Sequence, residues 1–501
     1  PVWQNLQVSV QPTWLEIHNV PLASSGIHTV SISFPSSNFN NHFIVPSSDL
    51  LEVKEPFTEE YQTAGRVVAM RKMGKASFCH IQDEGKKIQI YLKSNMLEEG
   101  MYDLIVRNMD IGDIVGFNGT LFYTKTNELS IKCTKVTMLA KSIRPLPNIK
   151  EKEGESFFSF EDKDLRYRNR HLDFVVNSGV VNDFVLRSYL LKEVRSYLEG
   201  NGYLEVETPV LQPMYGGANA RPFTTFHNTL DEKLYLRISL ELYLKKLIIG
   251  GINKVFELSK NFRNEGMDKD HNPEFTMLEF YCAYADVYDM LEFTELMVKK
   301  VFKDISNSTE VGFGEHNISF KNKFEVFDFF ESIKTFSKTD ISNMDSKELH
   351  KFLKDSNIKI ENNANYGNLI DKIFSNFVEP NLIQPTFVIN FPKEISPLAK
   401  THRKNEKLVE RFELFIGGME IANSFTELND PIDQLERLNS QSDLRAKGDK
   451  EAQAVDYSFI EAMEIGMPPT GGVGVGIDRL VMLLTGNTSI KDVILFPAMR
   501  S

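Results

Sequence analysis

The segment FRNEGMDKDHNPEFTMLEFY, residues 262–281, sets charged side chains among large aromatic and aliphatic ones. An aromatic ring can stack on a base, an arginine can form a forked contact with a phosphate or a carboxylate, and a glutamate accepts hydrogen bonds from amines. A hairpin with a solvated charged face would have little use for that mixture. The segment therefore predicts the floor of a binding site. Its candidate residues are Arg263, Glu265, His271, Phe275, Glu279 and Tyr281.

Two extended segments are needed to position these side chains. Residues 275–281 alternate with period 2 and are rich in aromatic residues, which is typical of a strand. Residues 254–265 are also predicted to be extended, and the turn residues at 266–273 separate the two segments. The predicted structure is an antiparallel pair of strands joined by a polar loop. One face of this pair is expected to carry Arg263, Glu265, Phe275, Glu279 and Tyr281.

A second pair of carboxylates lies in RFELFIGGMEIANSFTELNDP, residues 411–431. Gly417 and Gly418 separate two β-like runs and predict a two-residue hairpin turn. With this turn, Glu413 and Glu420 lie on one face as diagonal neighbours. Two adjacent carboxylates repel each other unless a cation or a proton joins them, so the hairpin predicts a divalent metal site. A solvated surface pair is the alternative. The opposite face is expected to carry Asn423, Phe425 and Glu427.

A glycine-rich segment, GVGVGIDRLVML, occupies residues 472–483. It matches neither a P-loop, which requires Gly-Lys followed by Ser or Thr, nor a dinucleotide-binding fingerprint. Glycines allow a backbone to approach a ligand closely, and Arg479 at the start of a predicted helix could clamp a phosphate. The segment therefore favours a phosphate-binding role for Arg479 without specifying the nucleotide.

Residues 58–146 have a different pattern, with several short strands separated by turn residues. This spacing predicts a small β-barrel of the OB-fold type, and the region is more basic than acidic, which suits nucleic acid. Arg71, Phe78 and Gln89 lie on or beside adjacent predicted strands and could stack a base and hydrogen-bond to its edge. A core phenylalanine flanked by two surface polar residues explains the same pattern, so these residues alone leave both interpretations open.

The composition bounds the class of protein. With 42% hydrophobic and 25% charged residues, the 501-residue chain has the balance of a soluble globular protein of several domains. Its three cysteines lie far apart without a CxxC pair, which argues against a disulfide framework or a zinc site and favours a reducing compartment. No apolar run is long enough to span a membrane. We therefore expect a cytoplasmic protein, and an organelle matrix is the alternative.

The chain is predicted to divide into four parts. They are an N-terminal segment of unassigned role at 1–57, an OB-fold domain at 58–146, a linker at 147–175 and a catalytic domain at 176–501. Residues 303–385, rich in Asn, Lys, Ser and Phe, are predicted to be a peripheral insertion in the last part.

Three segments resemble the ordered motifs of one enzyme family. GYLEVETPVL (202–211), the segment at 262–281 and GVGVGIDRLVML resemble motifs 1, 2 and 3 of the class II aminoacyl-tRNA synthetases. The preceding OB-fold domain is typical of the subclass that charges lysine, aspartate or asparagine. YGGANARPF (215–223), LYLRISLELYLKKLIIGG (234–251), NSFTELNDP and SIKDVILFPAMR resemble segments of the lysyl-tRNA synthetases. The resemblance runs from about residue 60 to residue 501 and weakens across 303–385.

This resemblance implies a fold, an activity and a set of partners. The fold is α+β: an N-terminal OB-fold β-barrel followed by a class II catalytic domain, in which an antiparallel six-stranded sheet is flanked by helices. The motif 1 helix and strand would form a homodimer interface. The enzyme would join L-lysine to ATP, giving lysyl-adenylate and pyrophosphate, and then transfer the lysyl group to the terminal adenosine of tRNA(Lys). Mg²⁺ is the implied cofactor.

The resemblance also implies a role for each candidate residue. ATP would be bound by Arg263, Glu265, His271, Phe275, Glu413 and Arg479, and Mg²⁺ by Glu413 and Glu420. Lysine would be bound by Glu241, Arg263, Glu279, Tyr281, Asn423 and Glu427. The implied catalytic residues are Arg263 and Arg479, and the implied anticodon contacts are Arg71, Phe78 and Gln89.

Three alternative functions are weaker. A synthetase for aspartate needs cations around the substrate side chain, whereas Glu279 and Glu427 would attract an ammonium, so they disfavour the aspartate and asparagine enzymes. A ligase that attaches lysine to elongation factor P lacks an OB-fold module. A non-catalytic nucleic-acid-binding paralogue would have lost its phosphate-binding residues, yet Arg263 and Arg479 are present.

Overall fold

The computed structural model describes residues 47–500, except for 55–56, 58, 84, 148, 153–154, 159, 178, 361–363 and 447–452. Most of the predicted N-terminal segment, residues 1–57, lies outside the described residues. The chain divides into two compact units, residues 1–181 and residues 182–501. No helix within the described ranges is long and apolar enough to cross a membrane.

Five strands form the centre of the first unit. They are β1 (Glu60–Met73), β2 (Ala76–Asp83), β3 (Lys86–Lys93), β4 (Ile114–Tyr123) and β5 (Leu129–Ala140). They close into a barrel in the order β1-β2-β3-β5-β4, and only the pairing of β3 with β5 is parallel. This barrel confirms the predicted OB-fold.

Alternating burial separates the inside of the barrel from its outer face. Cys79 and Ile81 of β2 are fully buried in the barrel core, whereas Phe78 is only half-buried and lies on the outer face. Gly119 allows β4 to pass close to β5, because a Cβ atom there would lie 2.2 Å from the carbonyl oxygen of Lys132. The core is therefore apolar, and the outer face is left for polar and aromatic side chains.

Short elements flank the barrel strands in the first unit. They are α1 (Ser47–Leu50), α2 (Met101–Asn108), β6 (Ile149–Lys152), β7 (Glu155–Phe158), α3 (Lys163–Arg168) and α4 (Arg170–Val176). The region predicted as a linker, 147–175, thus contains a two-stranded hairpin and two short helices. Arg170 and Asp173 in α4 form a fully buried ion pair at 2.8 Å.

The second unit contains one large sheet, three smaller sheets and the longer helices. Its strands are β8 (Leu204–Glu205), β9 (Leu211–Gln212), β10 (Thr224–His227), β11 (Glu232–Leu236), β12 (Lys254–Phe262), β13 (Glu274–Ala283), β14 (Glu310–Phe313), β15 (His316–Ser319), β16 (Glu325–Asp328), β17 (Thr386–Ile389), β18 (Thr401–His402), β19 (Asn405–Val409), β20 (Arg411–Ile416), β21 (Met419–Thr426) and β22 (Thr470–Gly476). Its helices are α5 (Val180–Gly200), α6 (Glu241–Ile249), α7 (Val287–Ser306), α8 (Phe329–Ser337), α9 (Ser346–Asp355), α10 (Tyr366–Phe377), α11 (Pro431–Ala446), α12 (Tyr457–Glu464), α13 (Ile477–Thr485) and α14 (Ile490–Val493). Two short 3-10 helices cover Glu379–Asn381 and Lys393–Ile395.

The large sheet has eight strands in the order β16-β17-β20-β21-β22-β13-β12-β8. Its six central strands are all antiparallel, which confirms the predicted six-stranded antiparallel sheet. At the two edges, β16 pairs in parallel with β17, and β8 pairs in parallel with β12. The sheet as a whole is therefore mixed, because short parallel strands extend the predicted core on both sides.

The two faces of this sheet differ in polarity. Leu278 and Phe280 of β13, together with Val473 of β22, point into an apolar core that also contains residues of α7 and α13. The side chains that alternate with them, including Glu279 and Tyr281, point to the other face. One face of the sheet is therefore packed against helices, while the other is a polar floor.

The predicted insertion at 303–385 packs around an apolar core that it shares with residues of β17 and β20 in the large sheet. Helices α8, α9 and α10 enclose that core, in which the rings of Phe329 and Phe374 stack with their centroids 4.8 Å apart. The region also contributes β16 to one edge of the large sheet. It is thus joined to the catalytic sheet by backbone pairing at that edge.

Candidate active site

The strands β12 and β13 form the antiparallel pair that the sequence predicted. Asn261 pairs with Phe275, and Glu257 pairs with Glu279. The strand β12 ends at Phe262, earlier than the predicted residue 265, so Arg263 and Glu265 belong to the loop that follows it. The predicted extent of the strand was therefore too long at this end.

Most of the predicted site residues line one cavity of about 360 Å³. Its boundary is formed by the floor of β13, β21 and β22, the start of α6 and the loop between β12 and β13. Among the candidates from the catalytic domain, it includes Glu241, Arg263, Glu265, His271, Phe275, Glu279, Tyr281, Glu420, Asn423, Glu427 and Arg479. Glu413 is the remaining candidate and does not line this cavity.

The hairpin of β20 and β21 differs from the regular register that its sequence predicted. Phe415 pairs with Glu420 as expected, but Leu414 pairs with Ala422, so Ile421 is an extra residue that forms a β-bulge. Glu413 consequently pairs with Asn423 instead of Ala422.

The bulge changes which side chains share a face. Asn423, Phe425 and Glu427 were expected on the face opposite Glu420, and that expectation was wrong. All of them line the cavity together with Glu420, because the extra residue reverses the alternation of side chains after the bulge.

One end of the cavity contains two arginines. The Arg263 guanidinium lies 5.1 Å from the centre of the Phe275 ring, and burial lowers the pKa of Arg263 although Glu265 and other carboxylates oppose that shift. Arg479 Nη1 donates to the Glu420 carbonyl oxygen at 2.6 Å, and its Nη2 lies 3.3 Å from His271 Nε2. Both cations therefore face the same space as the candidate adenine-stacking ring.

Buried carboxylates form another part of the cavity lining. Glu279 accepts hydrogen bonds from the Ser239 hydroxyl at 2.8 Å, the Leu240 backbone N–H at 2.9 Å and the Tyr281 hydroxyl at 2.9 Å. Burial, reinforced by the charge of Glu241, raises the pKa of Glu279 to about 7 even with these three donors. Three hydrogen bonds therefore fix the orientation of the Glu279 carboxyl group. With this pKa, its protonated and ionised forms are both populated near pH 7.

Lys245 also belongs to this group of charged residues, and the sequence did not single it out. Its ammonium lies 2.5 Å from Glu241 Oε1 and also forms an ion pair with Glu427. The lysine is fully buried and does not line the cavity. The sequence signal was the spacing of Glu241 and Lys245, four residues apart on one helix, but that spacing is too common to identify a site.

Arg411 is a second residue that the sequence did not single out. Its Nε donates to Asn423 Oδ1 at 3.0 Å, and its Nη2 donates to Glu413 Oε1 at 2.5 Å. Burial raises the pKa of Glu413 to about 8, and nearby Glu420 adds to the shift while Arg411 opposes it. Arg411 thus connects a predicted lysine-binding residue to a predicted metal ligand.

The glycine-rich strand β22 permits close approach, as predicted, but the neighbours in contact are protein side chains. A Cβ atom on Gly472 would lie 2.1 Å from Glu427 Oε1 and 2.4 Å from Cε1 of Tyr281. Any larger residue would therefore displace two of the predicted lysine-binding side chains.

The predicted metal site rests on two carboxylates. No group of three or more His, Cys, Asp or Glu side chains in the described part of the chain is arranged to hold a metal ion. The pair of Glu413 and Glu420 nevertheless has the right chemistry for Mg²⁺, because this ion takes oxygen ligands and is often held by one or two carboxylates plus phosphate oxygens. Burial is the main cause of the raised pKa of Glu413, and the charge of Glu420 adds to it.

The outer face of the barrel in the first unit carries the other predicted residues. Arg71 pairs with Phe78 across β1 and β2, and Phe78 packs against Tyr91 with ring centroids 4.9 Å apart. Tyr91 in turn lies 5.9 Å from the ring of Phe122. Gln89 is buried, and its amide binds Glu128 and Ser130. The sequence prediction missed Tyr91 and Phe122, which extend the aromatic surface.

These features define a class of protein. The family described as tRNA synthetases class II (D, K and N) matches residues 162–500, and the family described as OB-fold nucleic acid binding domain matches residues 61–139. The chain belongs to the class II tRNA synthetases, as its three motifs indicated.

Curated relatives narrow the class to the lysine–tRNA ligase family, of which the chain is a member. A lysine–tRNA ligase of Methanospirillum hungatei is 48% identical over 447 residues, covering 89% of this chain and 87% of the relative. One of Porphyromonas gingivalis is 49% identical, covering 87% of this chain and 76% of the relative. One of Halalkalibacterium halodurans is 48% identical over 450 residues, covering 90% and 88%.

Proposed function

We propose that the protein is a lysine–tRNA ligase that activates lysine with ATP and transfers the lysyl group to the 3′-hydroxyl of the terminal adenosine of tRNA(Lys). One observation carries the proposal: a single cavity is lined both by three buried carboxylates with a phenol and by two arginines. The first group suits the ammonium groups of lysine, and the second suits phosphates and a carboxylate.

The lysine side chain is assigned to the end of the cavity that contains Glu279, Tyr281 and Glu427. A buried ammonium needs acceptors on several sides, and two carboxylates with a phenol provide them. Asn423 is assigned to the same end, and Glu241 is assigned to the α-amino group of lysine. An aspartate side chain would meet repulsion there, which supports lysine as the substrate.

In the first chemical step, the lysine carboxylate attacks the α-phosphate of ATP, and pyrophosphate leaves to give lysyl-adenylate. Both reacting groups are anionic, so catalysis depends on their alignment and on neutralisation of charge. Arg263 is assigned to the α-phosphate and the lysine carboxylate, and Arg479 to the γ-phosphate beside His271. Phe275 would stack on adenine, and Glu265 would accept from its amino group.

Glu413 and Glu420 are the residues that would hold Mg²⁺. When bound, the ion would neutralise charge on the ATP phosphates. Arg411 would keep Glu413 oriented, since it already donates to that carboxylate.

In the second step, the 3′-hydroxyl of the terminal adenosine of tRNA takes the lysyl group and AMP leaves. The OB-fold barrel is proposed to bind the anticodon, with Phe78 stacking on a base and Arg71 and Gln89 contacting base edges. To reach a base, the Gln89 amide would exchange its hydrogen bonds with Glu128 and Ser130. The row of Phe78, Tyr91 and Phe122 supports this assignment, because aromatic faces accept stacked bases.

We also propose that the enzyme is a homodimer formed through motif 1. Helix α5 exposes Val185 and Tyr189, and the following segment exposes Leu204 and Leu211. Exposed apolar side chains on adjacent elements are a common mark of an interface. Sedimentation velocity on wild type and Tyr189→Glu would test this, and a monomeric wild type would contradict it.

A cytoplasmic location is proposed from the cysteine usage.

The experiment that tests the activity is ATP–pyrophosphate exchange with lysine, aspartate and asparagine. Wild type should exchange with lysine alone, and Glu279→Gln should lose about 100-fold or more in kcat/KM for lysine. Glu461→Gln, on the exposed side of α12, is the matched control and should behave as wild type. Exchange with aspartate instead would show that the amino-acid assignment is wrong. Absence of exchange in folded wild type would overturn the proposed function.

A further inference from the structure

The lysine end of the cavity contains more negative charge than a lysine substrate can neutralise alone. Glu241, Glu279 and Glu427 are 6%, 2% and 1% exposed. Lysine has two ammonium groups, and its carboxylate is assigned to Arg263. Three buried carboxylates against two ammonium groups would leave one uncompensated negative charge in a medium of low polarity, which is costly.

Lys245 supplies the missing positive charge from behind the cavity wall. It is fully buried on α6, bonds Glu241 one helical turn away and forms its second ion pair with Glu427, which follows β21. Its ammonium also lies 5.4 Å from the ring centre of Phe425 and 6.0 Å from that of Phe459. Burial alone would lower the pKa of Lys245, but Glu241 and Glu427 more than offset that effect, so the ammonium stays charged.

We propose that Lys245 is the residue that sets the charge of the lysine pocket and positions Glu241 and Glu427 in it, an inference that rests on the proposed function. When lysine binds and all three carboxylates are ionised, they and the Lys245 ammonium give the pocket a charge of −2, which matches the two ammonium groups of lysine. The ammonium of Lys245 thus adjusts the charge of the pocket so that it favours a substrate with two positive charges.

The contacts also explain how the carboxylates are oriented. Lys245 bonds one oxygen of each, Oε1 of Glu241 and Oε2 of Glu427. Among the described residues, no group donates to Oε1 of Glu427, which lies over Gly472 beside the Tyr281 ring. A fully buried acceptor without a donor is rare in folded proteins, and an incoming ammonium would satisfy it. Lys245 thus leaves Oε1 of Glu427 without a donor, packed against Gly472.

A purely structural role would not require a cation at this position. For the fold alone, apolar side chains in place of Lys245, Glu241 and Glu427 together would have a lower desolvation cost, since buried ion pairs seldom stabilise a fold more than apolar replacements of all the partners do. The positive charge of Lys245 is therefore explained by the charge balance that a bound lysine requires. The other titratable and charged groups that face this cluster are Glu279, Tyr281 and Arg411, and Lys246 pairs with Asp456 on the outer side of α6.

The test is lysine-dependent ATP–pyrophosphate exchange by Lys245→Met and Lys245→Arg between pH 6.5 and pH 8.5, with the KM for ATP as the measure of an intact fold. Without the resident cation, one carboxylate must take up a proton before lysine can bind. Lys245→Met should therefore lose at least about tenfold in kcat/KM for lysine at pH 8.5 and much less at pH 6.5, with the KM for ATP within about twofold of wild type. Lys245→Arg keeps the charge and should lose activity without that dependence on pH.

Two results would overturn the inference while the proposed function stands. One is a Lys245→Met enzyme whose KM for lysine equals that of wild type across the pH range. The other is an equal loss at both ends of the range in Lys245→Met and Lys245→Arg, which would indicate packing alone. Wild type without lysine-dependent exchange would overturn the proposed function itself, and this inference with it.

A second variant decides the matter if Lys245→Met does not fold. The double variant Lys245→Met/Glu241→Gln removes one charge of each sign, so the pocket keeps its charge of −2, and only Glu427 loses an ion-pair partner. It should exchange lysine more efficiently than Glu241→Gln alone, whose pocket charge is only −1. A double variant that is less efficient than Glu241→Gln would contradict the inference.

Discussion

Glu413 and Asn423 lie directly opposite each other in the hairpin of β20 and β21. A regular two-residue hairpin would have paired Glu413 with Ala422. The bulge at Ile421 instead brings a proposed metal ligand and a proposed lysine ligand to one face, where Arg411 donates to both. The two substrates of the first step would therefore be held by neighbouring side chains on one rigid hairpin.

The close packing around Gly472 predicts a selective defect. Gly472→Ala would place a Cβ atom against Glu427 and Tyr281, so both would have to move. We expect kcat/KM for lysine to fall about 100-fold while the KM for ATP changes little, because the displaced groups are those proposed to bind the amino acid. Steady-state exchange kinetics would measure both values.

Gly474→Ala is the matched control for that variant. Its Cβ atom would meet the end of the flexible Met277 side chain, which can rotate away, so the loss should be at least tenfold smaller. Equal losses in the two variants would mean that strand β22 tolerates no side chain at all. The proposed contact with Glu427 would then be unsupported.

The raised pKa of Glu279 predicts how lysine binding depends on pH. Only the ionised carboxylate pairs with an ammonium, and its pKa is about 7 in the absence of lysine. The kcat/KM for lysine should therefore rise as the pH passes through about 7. Tyr281→Phe removes a hydrogen bond that lowers this pKa, so the midpoint of its profile should lie at higher pH.

The pH profile has a clear control and a clear contradiction. Tyr457→Phe, on an exposed position of α12, should keep the wild-type midpoint. A Tyr281→Phe midpoint at or below that of wild type would show that the hydroxyl does not stabilise the ionised carboxylate.

The pair of Glu413 and Glu420 predicts a metal requirement that depends on pH. The pKa of Glu413 is about 8, so below this pH a metal ion would have to displace a proton from it. The Mg²⁺ concentration that gives half-maximal exchange should fall as the pH rises through about 8. Titrating Mg²⁺ at fixed ATP and several pH values would measure this.

Glu413→Gln should raise that Mg²⁺ concentration about tenfold or more and remove its dependence on pH near 8. Glu461→Gln serves again as the exposed control. If Glu413→Gln retained the wild-type titration, the assignment of this carboxylate to the metal would be wrong.

The aromatic row on the barrel predicts a defect confined to tRNA. Phe78→Ala and Tyr91→Ala each remove one ring of the row, and stacking on a base contributes about 1–3 kcal/mol. We expect the KM for tRNA in aminoacylation to rise about tenfold, with lysine-dependent exchange unchanged because that reaction needs no tRNA. Ile111→Ala, at an exposed loop position of the same unit, should change neither. A fall in exchange would indicate a folding defect instead.

Local patterns were sufficient to predict much of this molecule. The period-2 alternation at 275–281 predicted β13, and the spacing of short strands predicted the barrel. The residue types in the motif 2 segment predicted the floor of a binding site, because ring, guanidinium and carboxylate chemistry is a property of the side chain itself.

Three-dimensional packing decided the remaining features of the site. A bulge at Ile421 depends on how two strands fit the whole sheet, and one extra residue moves every following side chain to the other face. Lys245 lies four residues along the chain from Glu241, a spacing common to many helices. It gains its proposed role only because Glu427, 182 positions away in the chain, folds against it. The sequence by itself determined which chemical groups the site contains. Only the tertiary structure decided which of them meet, because distances between charges are set by the fold and not by separation along the chain.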